Sequence, residues 1–159
     1  MPAGRPVADD ELRVYRRRLP HWRLDGAPYF VTWRVERGQP DLAPDERTCV
    51  SEAIRFFDLE RYELIAFVVM NDHVHVVLTP LGRYRLERVI HSWRSYTTNV
   101  LRRGGRQGRV WQPDYMDRII RNDEELRQTA EYVLNNPVQR WPGVQDYRWV
   151  WASGMDDDE

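Results

Sequence analysis

The sequence has no lysine: all 24 of its basic residues are arginine, set against 25 acidic ones. Guanidinium groups suit bidentate contacts with phosphates and base edges, but a GC-rich genome produces the same bias, so composition is the first explanation. Cysteine is nearly absent too. The single Cys49 cannot close an internal disulfide, and its place in a helical pattern predicts a small buried apolar residue in a reducing compartment. Long apolar runs are missing: the longest, around IAFVVM at 65–70, is far short of the ~20 residues that cross a bilayer. The opening MPAGRPVADDE has no apolar core of a secretion signal, so the expectation is a cytoplasmic chain with no membrane partner. Neither GxxxxGKS/T nor GxGxxG occurs, which argues against chemistry driven by a nucleoside triphosphate or a dinucleotide. Histidine is scarce, with four in the chain, and two of them stand one residue apart at 73 and 75.

What is present is aromatic and charged. Aromatics make up 12% of the 159 residues, seven Trp and eight Tyr among them, which speaks against disorder although charged residues reach 31%. The length predicts one domain over 1–159, with a core at about 28–136 and an extension at 137–159, able to bury a core without disulfides. A net charge of −1 conceals an asymmetry. Between Arg83 and Arg109 stand eight Arg and one acid, Glu87, a balance of +7, whereas the final MDDDE carries four acids.

PYFVTWRV (28–35) sets Tyr29, Val31, Trp33 and Val35 against Phe30, Thr32 and Arg34, the alternation of a strand. Pro44, Asp45 and Glu46 open a helix whose face is Val50, Ala53, Ile54 and Phe57. YELIAFVV (62–69) reads as a strand, MND (70–72) as a tight turn, and HVHVVLT as the strand after it. Leu86, Val89, Ile90, Trp93, Thr97, Val100 and Leu101 predict an amphipathic helix to about Arg102. A Gly-rich basic loop, RRGGRQGR, leads to a strand at YMDRII (115–120). Asn122, with Glu125 three residues on, then caps a helix expected to end before Pro137. There are no internal repeats and no linker.

This order is that of an α+β fold, the ferredoxin-like β-α-β-β-α-β unit: an antiparallel sheet with two helices on one face, here with an additional C-terminal helix. The first and third strands are then central. Alternation sends Val74, Val76 and Leu78 under the helices and His73, His75 and Val77 to the other, open face. Imidazoles two residues apart on a strand have Cα atoms ~7 Å apart, close enough to share one metal ion; ordinary half-exposed strand histidines are an equal reading. On the last helix, Glu125, Thr129, Tyr132 and Asn136 share a narrow arc beside the apolar stripe Leu126, Ala130 and Val133. Tyr132 and Asn136 are one turn apart, so an amide oxygen for a hard cation lies next to a phenol. On spacing alone the plainer reading is stronger, with Tyr132 at an amphipathic boundary and Asn136 capping the helix before Pro137.

Taken together, VVMNDHVHVVLTP, GRQGRVWQPDYMDRIIRNDEEL and AEYVLNNPVQRW resemble the REP-associated tyrosine transposases, relatives of the single-tyrosine insertion-sequence transposases among the HUH endonucleases. The likeness runs from about Tyr29 to Trp151. It implies a metal-dependent endonuclease and strand transferase acting on single-stranded DNA with a hairpin. By that resemblance His73, His75 and Asn136 bind Mg²⁺ or Mn²⁺, and Tyr132 attacks the DNA to leave a 5′-phosphotyrosine and a free 3′-OH. Asp72 stands where many relatives have Asn or Glu. The resemblance also allows a monomer or a homodimer.

The basic segment is the expected DNA contact: Arg83, Arg85, Arg88, Arg94, Arg102, Arg103, Arg106 and Arg109 for phosphates, with Trp111, Tyr115 and Tyr96 as stacking candidates. Core packing is at least an equal reading for Trp111. RRRLPHWR (16–23) is a second possible phosphate contact, and His21 and His91 read as ordinary polar residues. Two further functions stay open, a non-catalytic hairpin-binding protein and a metal-dependent ribonuclease on the same scaffold.

Overall fold

The order of elements is β1 (Tyr29–Arg34), α1 (Pro44–Phe56), β2 (Tyr62–Val69), β3 (His73–Pro80), α2 (Leu86–Arg103), β4 (Met116–Ile119), α3 (Asp123–Arg140) and β5 (Val150–Ala152). They come from a computed structural model that describes residues 26–154; RRRLPHWR with His21, and the acidic MDDDE end, lie outside the described residues. The strands form one antiparallel sheet in the order β4-β1-β3-β2-β5. Its first four strands have the expected ferredoxin-like arrangement with β1 and β3 central. The C-terminal segment folds back and adds β5 beside β2.

One face of the sheet follows directly from period-two alternation. Val31, Trp33, Val35, Val74, Val76 and Leu78 pack with Val50 and Ile54 of α1 and with Val89, Ile90, Trp93 and Leu101 of α2. Each such side chain contributes about 1.5–3 kcal/mol as an upper estimate. Helix α1 begins where its sequence says: Pro44 takes the first turn, the Ala43 N–H donates to the Glu46 carboxylate at 2.9 Å, and Asp45 and Glu46 meet the positive end of the helix dipole. Cys49, expected to be buried, is half-buried on the outer side of α1, and burial pushes its thiol up.

The other face is not open. Helix α3 lies across it, packing Leu126, Ala130, Val133 and Leu134 on Ile65, Ala66, Val68 and Val77. A break in register between Leu64 and Ala66 lets Ile65 and Ala66 both serve this face. The resulting apolar patch is stable only when covered. The end of α3 also differs from expectation, for the helix passes through Pro137 and stops at Arg140. Proline cannot donate to the Val133 carbonyl, one turn back. Pro137 is instead buried, and the Trp141 N–H closes the last turn on the Pro137 carbonyl at 2.8 Å. At its start, Asn122 Oδ1 accepts from the Glu125 N–H at 2.8 Å, as the sequence predicts.

Candidate active site

Strand β3 points His73 and His75 the same way, and the antiparallel register sets Thr32 opposite His75 and Arg34 opposite His73. The two imidazole centroids are 4.7 Å apart. From above, α3 brings Tyr132 and Asn136 to the same place. The Tyr132 ring lies 5.4 Å from the His75 ring and meets Phe30 edge-on at 6.1 Å. Asn136 Oδ1 is 3.1 Å from His73 Nε2. Tyr132 stays 46% exposed while Asn136 and His75 are buried. Four residues from two elements thus meet on one face of the sheet.

Each imidazole is held from behind. His73 Nδ1 is 2.8 Å from Asp72 Oδ1, and His75 Nδ1 is 2.7 Å from Thr32 Oγ1. An ionised carboxylate only accepts, so His73 carries its proton on Nδ1 and offers the Nε2 lone pair. Burial, then the charges of His73 and Arg34, push the His75 imidazole down to about 3, so it is neutral near pH 7. This is the arrangement that ligating histidines use, one nitrogen fixed by an oxygen and the other free for a cation.

The third candidate ligand fits the same purpose. A lone pair on Nε2 and an amide oxygen at 3.1 Å form no hydrogen bond with each other. The contact is a hydrogen bond when Nε2 carries a proton or the amide is turned to donate its NH₂ group, and the same spacing suits two ligands of one cation. Two ligands at ~2.1 Å from an octahedral ion, a right angle apart, are separated by about 3.0 Å. Among the described residues no group of three or more His, Cys, Asp or Glu could hold a metal ion; the third candidate ligand beside the two histidines is an amide. His73, His75 and Asn136 fit a small divalent cation.

The expected DNA contacts divide into two groups. Arg83, Arg85, Arg88, Arg102, Arg103 and Arg109 are exposed on or beside α2. The remaining four have structural partners. Arg106 donates to Glu46 at 2.7 and 2.8 Å, to Gln39 Oε1 at 3.0 Å and to the Asp41 carbonyl at 2.9 Å, with a side chain 6% exposed. Arg94 donates to the carbonyls of Gln112 and Pro113 and lies over the half-buried Tyr115 ring at 5.6 Å. Trp111 is a core residue, 3% exposed, with its indole N–H on Thr97 Oγ1 at 3.0 Å and its ring edge-on to Trp33. It has no face to offer a base, which corrects its reading as a stacking platform. Arg106 is likewise corrected, since its guanidinium ties the basic loop to the start of α1. Tyr96 and His91 are exposed on α2.

Helix α2 packs on the sheet face opposite α3, so its arginines do not face Tyr132. The residues that do surround the site on the α3 side are Phe30, Thr32 and Arg34 of β1 with Met116 and Arg118 of β4, paired Phe30 to Arg118 and Thr32 to Met116. Their alternation in PYFVTWRV was visible; the register that sets them beside the histidines was not.

Residues 32–136 match the protein family described as transposase IS200 like. The chain is 26% identical over 127 residues to the REP-associated tyrosine transposase of Escherichia coli (strain K12), across 79% of this chain and 72% of that protein. Its fold is similar to the structure of a REP-associated tyrosine transposase bound to a REP hairpin, with a TM-score of 0.68 and 22% identity over 82% of this chain and 79% of that one. A transposase candidate from Deinococcus radiodurans R1 is more distant, at TM-score 0.53 and 16% identity over 71% and 92% of the two chains.

Proposed function

The chain belongs to the IS200-like transposase family, and from that premise we propose that it cuts and rejoins single-stranded DNA through a covalent link to Tyr132. The observation that carries this reading is the meeting of Tyr132 and Asn136 from α3 with His73 and His75 from β3, at 5.4 Å between the Tyr132 and His75 rings and 3.1 Å between Asn136 and His73. The Tyr132 phenol oxygen attacks a backbone phosphorus and the bond to the 3′ oxygen breaks. The phenol loses its proton and the departing 3′ oxygen gains one, leaving a 5′-phosphotyrosine and a free 3′-OH. A 3′-OH from a second strand reverses the step, so the bond energy is conserved and no nucleoside triphosphate is consumed.

His73, His75 and Asn136 would hold Mg²⁺ or Mn²⁺, which lowers the charge on the phosphate and eases ionisation of the phenol. Asp72 and Thr32 fix the two imidazoles so that both Nε2 atoms face the phosphate. Tyr132 is anchored by its buried neighbours Val133 and Leu134 while its own ring remains accessible. A related fold is bound to a REP hairpin, which supports single-stranded DNA with a hairpin as the substrate. The exposed arginines of α2 are then available for the paired stem, and all four site residues lie within one chain, so a monomer suffices for the chemistry.

The test uses single-stranded DNA from the repeats flanking the gene, end-labelled, with Mn²⁺ and a denaturing gel. Tyr132→Phe removes one oxygen and little packing volume, so it should fold normally and form no covalent adduct. An adduct that persists in that variant, or maps to Tyr96 or Tyr115, refutes the assignment. An adduct on the RNA version of the hairpin and not on DNA would favour a ribonuclease.

A further inference from the structure

Arg34 ends β1 directly opposite His73, and facing residues of an antiparallel pair hold their Cβ atoms ~4.5–5.5 Å apart on one side of the sheet. Its backbone is pinned: Gln112 N–H donates to the Arg34 carbonyl at 2.8 Å, and the next N–H, of Val35, donates to the Asp72 carbonyl at 3.0 Å. Its side chain is exposed, and no ion pair or side-chain hydrogen bond engages the guanidinium among the described residues. An exposed guanidinium opposite His73, with no ion pair among the described residues, has no structural task on view.

The surface beside it has the shape of a path. Helix α3 packs chiefly on β2, β3 and β5, and on the β1–β4 half of the same face Thr32 is buried while Arg34, Met116 and Arg118 are exposed among the described residues. Met116 is 74% exposed there. Arg118 reaches over the Phe30 ring at 5.5 Å, and an ion pair with Glu125 at 3.2 Å leaves its side chain 48% exposed. From Phe30, opposite Arg118, to Arg34 is four residues of strand, roughly 13 Å, with Tyr132 leaning over the interval. A strip with a guanidinium at each end and apolar surface between suits a single strand of nucleic acid, phosphates at the ends and a base on Phe30 or Met116.

We infer that Arg34 contacts the phosphate attacked by Tyr132, and that the strand to be cut crosses the β1–β4 half of the sheet between Arg34 and Arg118. This rests on the reading of Tyr132 as nucleophile. The planar guanidinium presents two parallel N–H groups to the non-bridging oxygens, where negative charge grows as the phenol oxygen adds. A donor fixed at such a point is worth ~10²–10³ in rate. Arg34 would act there beside any cation on His73, without serving as its ligand.

Two measurements test it, on the full chain with the single-stranded flanking-repeat DNA. First, single-turnover adduct formation at saturating DNA: Arg34→Gln should lower the rate by ~10²–10³, Arg34→Lys should lose less, and Mn²⁺ affinity without DNA should not fall. A rate within about threefold of wild type overturns the inference and leaves Tyr132 untouched. A parallel loss of Mn²⁺ affinity overturns it as well, since Arg34 would then merely support the ligands. Second, binding by fluorescence anisotropy in a Tyr132→Phe background: Arg34→Gln should reduce the slope of log affinity against log salt by about 0.7, the value for one phosphate contact on a single strand. An unchanged slope refutes the contact even if wild type yields no adduct, so the fate of Arg34 is decided separately from that of Tyr132.

Discussion

Replacing Thr32 by Val tests whether the histidines are held for ligation or simply packed. The Thr32 hydroxyl lies 2.7 Å from His75 Nδ1, and the two residues are 8% and 5% exposed. Valine keeps the shape and removes the oxygen, so a buried ring nitrogen loses its partner at a cost of about 1–3 kcal/mol. For a domain of this size that is roughly 2–12 °C in Tm, using ~2–4 °C per kcal/mol. The effect on the site has a separate origin. With Nδ1–H donated to Thr32, His75 presents its lone pair at Nε2; without Thr32 both tautomers are allowed and the ring can rotate. Tautomer choice alone accounts for about a factor of two, and loss of orientation extends the fall in Mn²⁺ affinity to ~10–100-fold, the usual range for such supporting partners. Calorimetric titration with Mn²⁺ and a thermal melt of the same variant give both numbers, and Thr32→Ser should restore most of each. If Thr32→Val bound Mn²⁺ as wild type does, while melting lower, His75 would be a packed polar residue and not a ligand.

Three further outcomes follow from the geometry. Arg106→Gln breaks a pair with Glu46 in which the arginine is 6% and the glutamate 20% exposed, so urea unfolding should show a loss of about 3 kcal/mol, the low end for a buried pair, with DNA affinity unchanged where the variant is folded. Trp111→Ala should cost ~3–5 kcal/mol in the same assay, because the ring fills the core beside Trp33; a surface stacking residue would cost almost nothing. Burial pushes the Tyr62 phenol up to about 12, above its ordinary ~10. The unfolded chain therefore releases that proton first, and stability is lost as pH rises from 10 towards 12, by up to about 2.7 kcal/mol. Tyr62→Phe should flatten that decline in alkaline melts, while leaving the Trp93 N–H without the phenol it now bonds at 3.1 Å.

Local pattern made the two-layer half of the fold legible. Alternation in PYFVTWRV and HVHVVLT assigns every residue of β1 and β3 to its observed face, and the helical stripe of α2 from Val89 to Leu101 is buried as expected. The C-terminal helix and its docking stripe were legible; the alternation left the histidine face open, although YELIAFVV, apolar at every position but Glu63, carries the signal of a strand covered on both faces, and all eight residues of β2 are buried. Pro137 was read as a stop because proline ends helices by default, whereas here burial of its ring outweighs one lost hydrogen bond. Charge density misled most. Eight arginines within 83–109 are adjacent in one dimension, but the helix turns some towards loops, Arg106 inward, and the rest to the far side of the sheet. Arg34 and Arg118 are isolated in sequence and draw no attention until pairing of β1 with β3 and β4 brings them to the site.

The placement of Tyr132 joins these points. Tyr132 as the proposed nucleophile must be both fixed and reachable, and the two demands conflict for a side chain on a loop or in a core. On α3 they are met by neighbouring positions: Thr129, Val133, Leu134 and Asn136 are buried and pin the backbone, while Tyr132 sits at the edge of the buried stripe, 46% exposed, with its ring held by Phe30 and His75. Asn136 is one turn away on the same helix, so its separation from Tyr132 is set by helix geometry and not by tertiary packing. The histidines come from a central strand bonded on both sides. The remaining freedom lies between these two rigid bodies, and the Ile65 and Ala66 patch, gripped by Leu126, Ala130 and Val133, removes it. The break in β2, far from the reacting atoms, is therefore what holds phenol and imidazoles in register.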